Sequence, residues 1–282
     1  MDHAVTQQTV RKENEDKTFN VSSVHTGHVK INRKRYCYFH TPDSPPGQII
    51  LYLSGDQEII NCKRERQLAF AAYLSYITKK RVLPINPFLN AVHLFPDALN
   101  NTAGIYSGFF SEGYTSNNII IGADSTAGNL ALALMLVLKD KGIRLPKALF
   151  LFSPLLDLTL SGESLESKAK DDTVLSKEKL LRWTLQYYSG NDPRNAYISP
   201  VTSPNRFFPP MLIQVGADEI LLSDSVDFSK KLRAVGCPVE LKVWEKTQHA
   251  WQTFFQELPQ AENALQEVGR FVAENLPSKA RK

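Results

Sequence analysis

The segment Ile119 to Leu134, IIIGADSTAGNLALAL, constrains this chain more than any other. An isoleucine run ends in a cluster of small residues, one serine stands among them, and a strongly apolar stretch follows at once. That order fits a buried strand turning sharply into a helix. The turn is tight, so the positions two before and two after Ser125 must carry almost no side chain. They hold Ala123 and Ala127, with Gly122 and Gly128 beside them. Such a turn lifts the serine hydroxyl above the sheet and aims a helix N-terminus at it, so that the backbone N–H of Thr126 can meet a developing negative charge. The plainer reading of Ser125 is the N-cap of an ordinary strand–helix unit.

The rest of the chain alternates in the same way. Val29 to Ile31 and Tyr36 to Phe39 read as strands joined by a tight turn at Asn32-Arg33, and Ile49 to Leu53 as a buried strand. A helix is expected over Arg64 to Ile77, a strand over Arg81 to Ile85, and a helix over Phe95 to Gly113. Beyond the serine, the strand at Ile119 to Ile121 leads to a helix over Leu130 to Lys141, then a strand over Leu149 to Phe152. The rhythm breaks from Asp157 to about Pro209, a polar stretch with one helix at Lys177 to Tyr188. It resumes with a strand at Met211 to Val215, a helix near Asp224 to Val235, a strand at Val239 to Trp244 and a helix from about Gln260 to Asn275. Strands alternating with helices predict an α/β fold, a parallel sheet covered on both faces.

Bulk properties narrow the function classes. The chain has 282 residues, 43% of them hydrophobic and 22% charged, which is enough for one large core. The net charge of +4 is thinly spread, and the densest basic run, Lys30 to Arg35, reads as a solvated strand edge. No phosphate-binding glycine loop or aromatic–basic platform appears, so nucleic acid is not an expected partner. Cys37, Cys62 and Cys237 lie far apart in sequence with no metal-type spacing. They read as free thiols in a reducing compartment, and the polar Met1 to Asn20 does not resemble a signal peptide. No run is long enough for a membrane span. A cytoplasmic protein without stable membrane insertion is the expectation.

A serine hydroxyl becomes a useful nucleophile when a histidine takes its proton and an acid holds that histidine. After an elbow of this kind, the acid and then the histidine follow in the chain. Of the six histidines only His249 comes after the serine, on the loop beyond the strand ending at Trp244. Two aspartates stand at strand ends, Asp157 in SPLLDLTLSGES and Asp218 in VGADEILLSDS. Asp218 comes directly off an apolar strand, one strand before that of His249, and is the favoured acid. Asp157, Glu219 and Asp224 read as loop, cap and helix-start residues, and Asp124 as a support for the elbow.

From about Val29 to Val272 the chain resembles the hormone-sensitive-lipase-like branch of the α/β-hydrolases, which includes many bacterial carboxylesterases. ADSTAGNLALAL is similar to that family's GDSAGG-type elbow. PPMLIQVGADEILLSDS is similar to the segment that carries its acid, and VELKVWEKTQHAWQTF to the one that carries its histidine. SPLLDLTLSGES resembles the opening of its second cap segment, and FPDALNN the start of the helix before the elbow strand. The resemblance implies an α/β-hydrolase fold, a mostly parallel sheet flanked by helices with a helical cap insertion. It divides the chain into a leader at 1–25 as part of a reduced cap, a catalytic domain at 26–156 and 209–278, and a cap or lid at 157–208.

It also implies a carboxylic-ester hydrolase with Ser125, Asp218 and His249 as triad, a small acyl ester as substrate, no cofactor or metal, and a monomer or homodimer. Two blocks depart from the family. Its His-Gly-Gly-Gly loop is here Ser54, Gly55, Asp56 and Gln57, and its Asp-Tyr-Arg-Leu-Ala-Pro stretch is scarcely visible in Asn86 to Ala91. The oxyanion hole is then expected from Thr126 N–H and an N–H of Gly55, Asp56 or Gln57. Loss of one such donor costs ~10²–10³ in turnover, so the altered loop predicts a slow enzyme. The competing reading is a ligand-binding protein on a hydrolase scaffold, against which the complete triad argues. Hydrolysis of another acyl bond, such as an amide, is the third.

Overall fold

The computed structural model describes residues 23–60, 62–88, 95–203 and 207–277. The expected leader at 1–25 lies outside the described residues up to position 22. β1 (His25–Ile31) and β2 (Lys34–His40) form the expected hairpin, paired antiparallel from His25↔His40 to Ile31↔Lys34. Asn32 and Arg33 both take positive φ, 49° and 66°, which two-residue hairpin turns require. β2 joins β4 (Arg81–Ile85) antiparallel. The remaining neighbours pair in parallel: β3 (Ile49–Leu53), β4, β5 (Ile119–Asp124), β6 (Ala148–Phe152), β7 (Met211–Gly216) and β8 (Val239–Trp244). The eight strands run in the order β1-β2-β4-β3-β5-β6-β7-β8, the mostly parallel sheet expected from the alternation.

Successive side chains of a strand point to opposite faces, and each face has its own helices. Leu51, Leu53 and Ile121 face α3 (Asp97–Ser111) and α4 (Ser125–Asp140). Ile50, Tyr52 and Ile120 face α2 (Arg64–Thr78) and α8 (Pro259–Asn275). α7 (Leu222–Ala234) places Phe228 and Leu232 on the α3–α4 face. Two four-residue helices, α1 (Gln57–Ile60) and α5 (Ser164–Ser167), escaped the sequence reading because so short a run shows no helical period. The helix after the elbow also starts earlier than expected, at Ser125 itself.

Between β6 and β7 the chain leaves the sheet and forms α5 and α6 (Lys177–Tyr188), the latter capped by Ser176, whose side chain accepts from Lys179 N–H at 3.2 Å. Leu165, Leu175, Leu180 and Tyr187 of this excursion pack with Ile59 of α1 and with Ile220 and Leu221 beyond β7. Its small core therefore rests on the carboxyl edge of the sheet.

Candidate active site

Ser125 lies between Asp124, the last residue of β5, and the first turn of α4, with φ of 50°. A non-glycine residue in that region is held there by its surroundings. The turn aims its Oγ at His249, which comes from the loop between β8 and α8, and the Oγ–Nε2 distance is 2.9 Å. On the other side of the ring, Nδ1 lies 2.9 Å from Glu219 Oε2. A carboxylate only accepts, so Nδ1 carries the proton and Nε2 is free to accept from the serine hydroxyl. Ser125 and Glu219 are 0% exposed and His249 2%, so these bonds are shielded from bulk water.

The carboxylate that meets His249 is that of Glu219 and not, as expected, that of Asp218. Strand β7 ends at Gly216 and the chain turns at once, Glu219 N–H donating to Gly216 O at 3.4 Å. Asp218 occupies the bend of that turn, half-buried, and makes no hydrogen bond to His249. Glu219 comes round on the inner side, and Gly216 N–H donates back to its Oε1 at 2.5 Å. Gly216 is required there: a Cβ on it would lie 2.4 Å from Thr247 O and 2.9 Å from Glu219 Oε1. The local signal for Glu219 was the apolar run Ile220 to Leu222 directly after it, which pulls the end of the turn inward.

Ser153, at the end of β6, was not foreseen. Its Oγ donates to Glu219 Oε1 at 2.7 Å and accepts from Ala250 N–H at 3.1 Å, so it joins the acid to the histidine loop. Three residues of the excursion brace the same loops. Asp172 Oδ2 accepts from Ile220 N–H at 3.0 Å, one residue past Glu219. Gln248, one residue before His249, accepts from Thr173 N–H at 2.9 Å and donates to Asp171 O at 3.1 Å.

The loop after β3 faces the elbow from the other side. A Cβ on Gly55 would lie 2.7 Å from Asp124 Oδ1 and 2.9 Å from Ser125 Cβ, so only glycine fits without displacement. Asp124 is the support the sequence reading made it. Its Oδ1 accepts from Gly55 N–H at 2.7 Å, and its Oδ2 accepts from the Tyr52 hydroxyl. Burial pushes its carboxyl up to about 6, against the pull of the Tyr52 and Gly55 hydrogen bonds and of His249. Gln67 of α2 steadies the loop, donating to Gly55 O at 3.3 Å and accepting from Gln57 Nε2 at 3.1 Å.

Thr126 is the second residue of α4, so its N–H has no intrahelical acceptor. Its Oγ1 accepts from Asp56 N–H at 2.9 Å. Of the three loop N–H groups expected as hole donors, that of Gly55 is thus held by Asp124 and that of Asp56 by Thr126. The loop is thereby tied to the elbow.

An elbow serine, a histidine and a buried acid, carried in this order on a mostly parallel eight-stranded sheet, define the class of serine hydrolases on an α/β scaffold. Comparison with known proteins bears this out. Residues 69–253 match a family described as alpha/beta hydrolase fold. An esterase of Acinetobacter venetianus is 32% identical over 225 residues, covering 79% of this chain and 74% of the relative. An acetyl-hydrolase of Streptomyces hygroscopicus is 27% identical over 231 residues, covering 82% and 77%. Among solved structures, the hormone-sensitive-lipase homologue EstE7 from a metagenome library superposes with a TM-score of 0.84 at 26% identity, covering 97% of this chain and 92% of that one. The chain belongs to the α/β-hydrolase family, in the branch of the hormone-sensitive-lipase-like carboxylesterases.

Proposed function

We propose that this carboxylic-ester hydrolase works by acyl transfer through Ser125, His249 and Glu219. The observation that carries the reading is the buried relay in which Ser125 Oγ, the imidazole and the Glu219 carboxylate are joined by two contacts of 2.9 Å. As Ser125 Oγ attacks the ester carbonyl, its proton passes to His249 Nε2, and Glu219 holds the ring and balances the imidazolium. The oxyanion is met by Thr126 N–H and by Asp56 N–H once the latter leaves Thr126 Oγ1. His249 then gives the proton to the leaving alcohol. Water, activated by the same imidazole, adds to the acyl-enzyme and releases the acid.

The likeness to an acetyl-hydrolase supports a short acyl group, and residues 157–208 serve as a lid whose contacts reach both triad loops. Three free cysteines fit a reducing compartment such as the cytoplasm. Among the described residues no helix is long and apolar enough to cross a membrane. Monomer and homodimer are the two assemblies we expect, and light scattering on the eluted protein separates them.

Labelling with a fluorophosphonate probe tests the mechanism. The wild-type chain is expected to label and to hydrolyse p-nitrophenyl acetate, and Ser125→Ala to do neither. A folded wild type that fails to label would return the chain to the ligand-binding reading.

A further inference from the structure

The loop after β3 has a crevice on each side. β3 leads into α2, whose Phe70 and Leu74 pack on the face of Ile50 and Tyr52. β4 leads into α3, whose Leu99 and Tyr106 pack on the opposite face, with Leu51 and Leu83. Neighbouring parallel strands whose helices leave to opposite faces open a crevice at their carboxyl ends, where open α/β sheets hold their ligands. β3 and β5 make such a pair, since α4 packs beside α3, and Ser125 stands in that crevice. β3 and β4 make a second one, which the hydrolytic mechanism does not use.

This second crevice holds a cavity of about 600 Å³, within the size range of small-molecule sites. Ser54 and Gln57 form the wall it shares with the catalytic loop. Two cations, Lys34 and Arg64, and the amides of Asn86 and Asn100 stand around it, and among the described residues no Asp or Glu lines it. Neither Lys34 nor Arg64 pairs with a carboxylate among the described residues. Lys34 belongs to the basic run that reads, from sequence, as a solvated edge. Ser54 and Gln57 of one block that departs from the family, and Asn86 and Pro87 of the other, contribute to the lining.

We propose that the β3/β4 crevice binds a small hydroxylated anion, a sugar carboxylate or sugar phosphate, beside the catalytic loop. Lys34 and Arg64 take the charge, and the amide side chains, which both donate and accept, take the hydroxyls. Such an anion is either the alcohol part of the ester or a separate effector, and both present the same chemistry to the crevice.

The test is calorimetric titration of the full-length Ser125→Ala protein with glucuronate, glucose 6-phosphate and uncharged glucose at low ionic strength. The two anions are expected to bind, and glucose to bind at least about tenfold more weakly. Lys34→Glu and Arg64→Glu are each expected to weaken anion binding about tenfold or more. Both side chains are exposed, so the fold should survive, and circular dichroism checks that it does. The same anions are then added to wild-type hydrolysis of p-nitrophenyl acetate. Competitive inhibition assigns the crevice to the alcohol part of the substrate, and a change in kcat without competition assigns it to an effector. No heat with either anion, affinity indifferent to both charge reversals, or binding with no effect on hydrolysis would overturn the proposal. Its failure would leave Ser125 labelling untouched, and a failure to label would leave the binding result standing.

Discussion

Glu219 and Asp218 are adjacent carboxylates, and one turn gives them different environments. Glu219 is fully buried with both oxygens occupied by Ser153, Gly216 and His249. Asp218 is half-buried at the bend. Glu219→Gln keeps the shape but presents the imidazole with the wrong hydrogen-bonding group. It is expected to lower kcat by roughly 10³–10⁴, as loss of the acid does in serine-protease triads. Asp218→Asn should change kcat less than about threefold, because its side chain touches none of the relay. Steady-state kinetics on both variants separates the two assignments. Thr126 offers a second test of the site. Its hydroxyl holds the Asp56 N–H that an oxyanion would use. Thr126→Ala removes that competitor, worth about 1 kcal/mol as an ordinary hydrogen bond, and should raise kcat/KM about fivefold.

The triad side chains come from separate elements, so the connections between those elements set the geometry. The excursion between β6 and β7 grips the acid turn through Asp172, which holds Ile220 N–H, and the histidine loop through Thr173, which donates to Gln248; Ile220 and Gln248 are each one residue from a triad member. A displacement of about 1 Å at reacting groups costs up to ~10² in rate. Gln248→Ala is therefore expected to lower kcat about tenfold, with KM for a small ester little changed. Asp172→Ala should cost more, because Val174 and Leu175 N–H also donate to its Oδ1. Asp172→Asn, which keeps an acceptor, should recover part of the loss, and kcat and KM measured separately distinguish positioning from loss of fold. None of this bracing is legible in sequence. Asp171 to Val174 reads as a polar loop, and its partners lie 48 and 75 residues away.

Across the whole molecule, stability should carry a pH dependence from buried carboxyls. Burial pushes Asp224 up to about 7, with the Asp157 and Asp227 charges adding to the rise and the Leu156 and Asp157 N–H bonds opposing it. As pH rises through about 4, the unfolded chain releases this proton while the folded protein retains it up to about 7. The folded state binds the extra proton in that window, so this contribution to stability is greatest below about pH 4 and is lost by about pH 7. Asp224→Asn still offers an oxygen to the same N–H groups and cannot ionise. Urea unfolding at pH 5 and pH 8 is expected to show a smaller fall between the two for the variant than for the wild type.

Local order in the chain sufficed for much of this protein. Ile49–Leu53, Arg81–Ile85 and Val239–Trp244 are strands with the expected bounds; the first is a continuous buried run, which has few other uses in an alternating chain, and the last alternates apolar with charged residues as a half-exposed strand does. The small-residue turn located Ser125, and elimination among the histidines located His249, since each signal lies within a few residues of sequence. Glu219 instead of Asp218 depends on which way a four-residue turn closes over Gly216, and that is settled by contact with Ser153 and His249, 66 and 30 residues from it. The state of the hole likewise depends on Asp56 meeting Thr126 across 70 residues. Patterning along a chain reports which residues must be buried. Only packing between distant segments decides which buried polar group meets which, because an unpaired one costs about 1–3 kcal/mol and the fold arranges itself to avoid that.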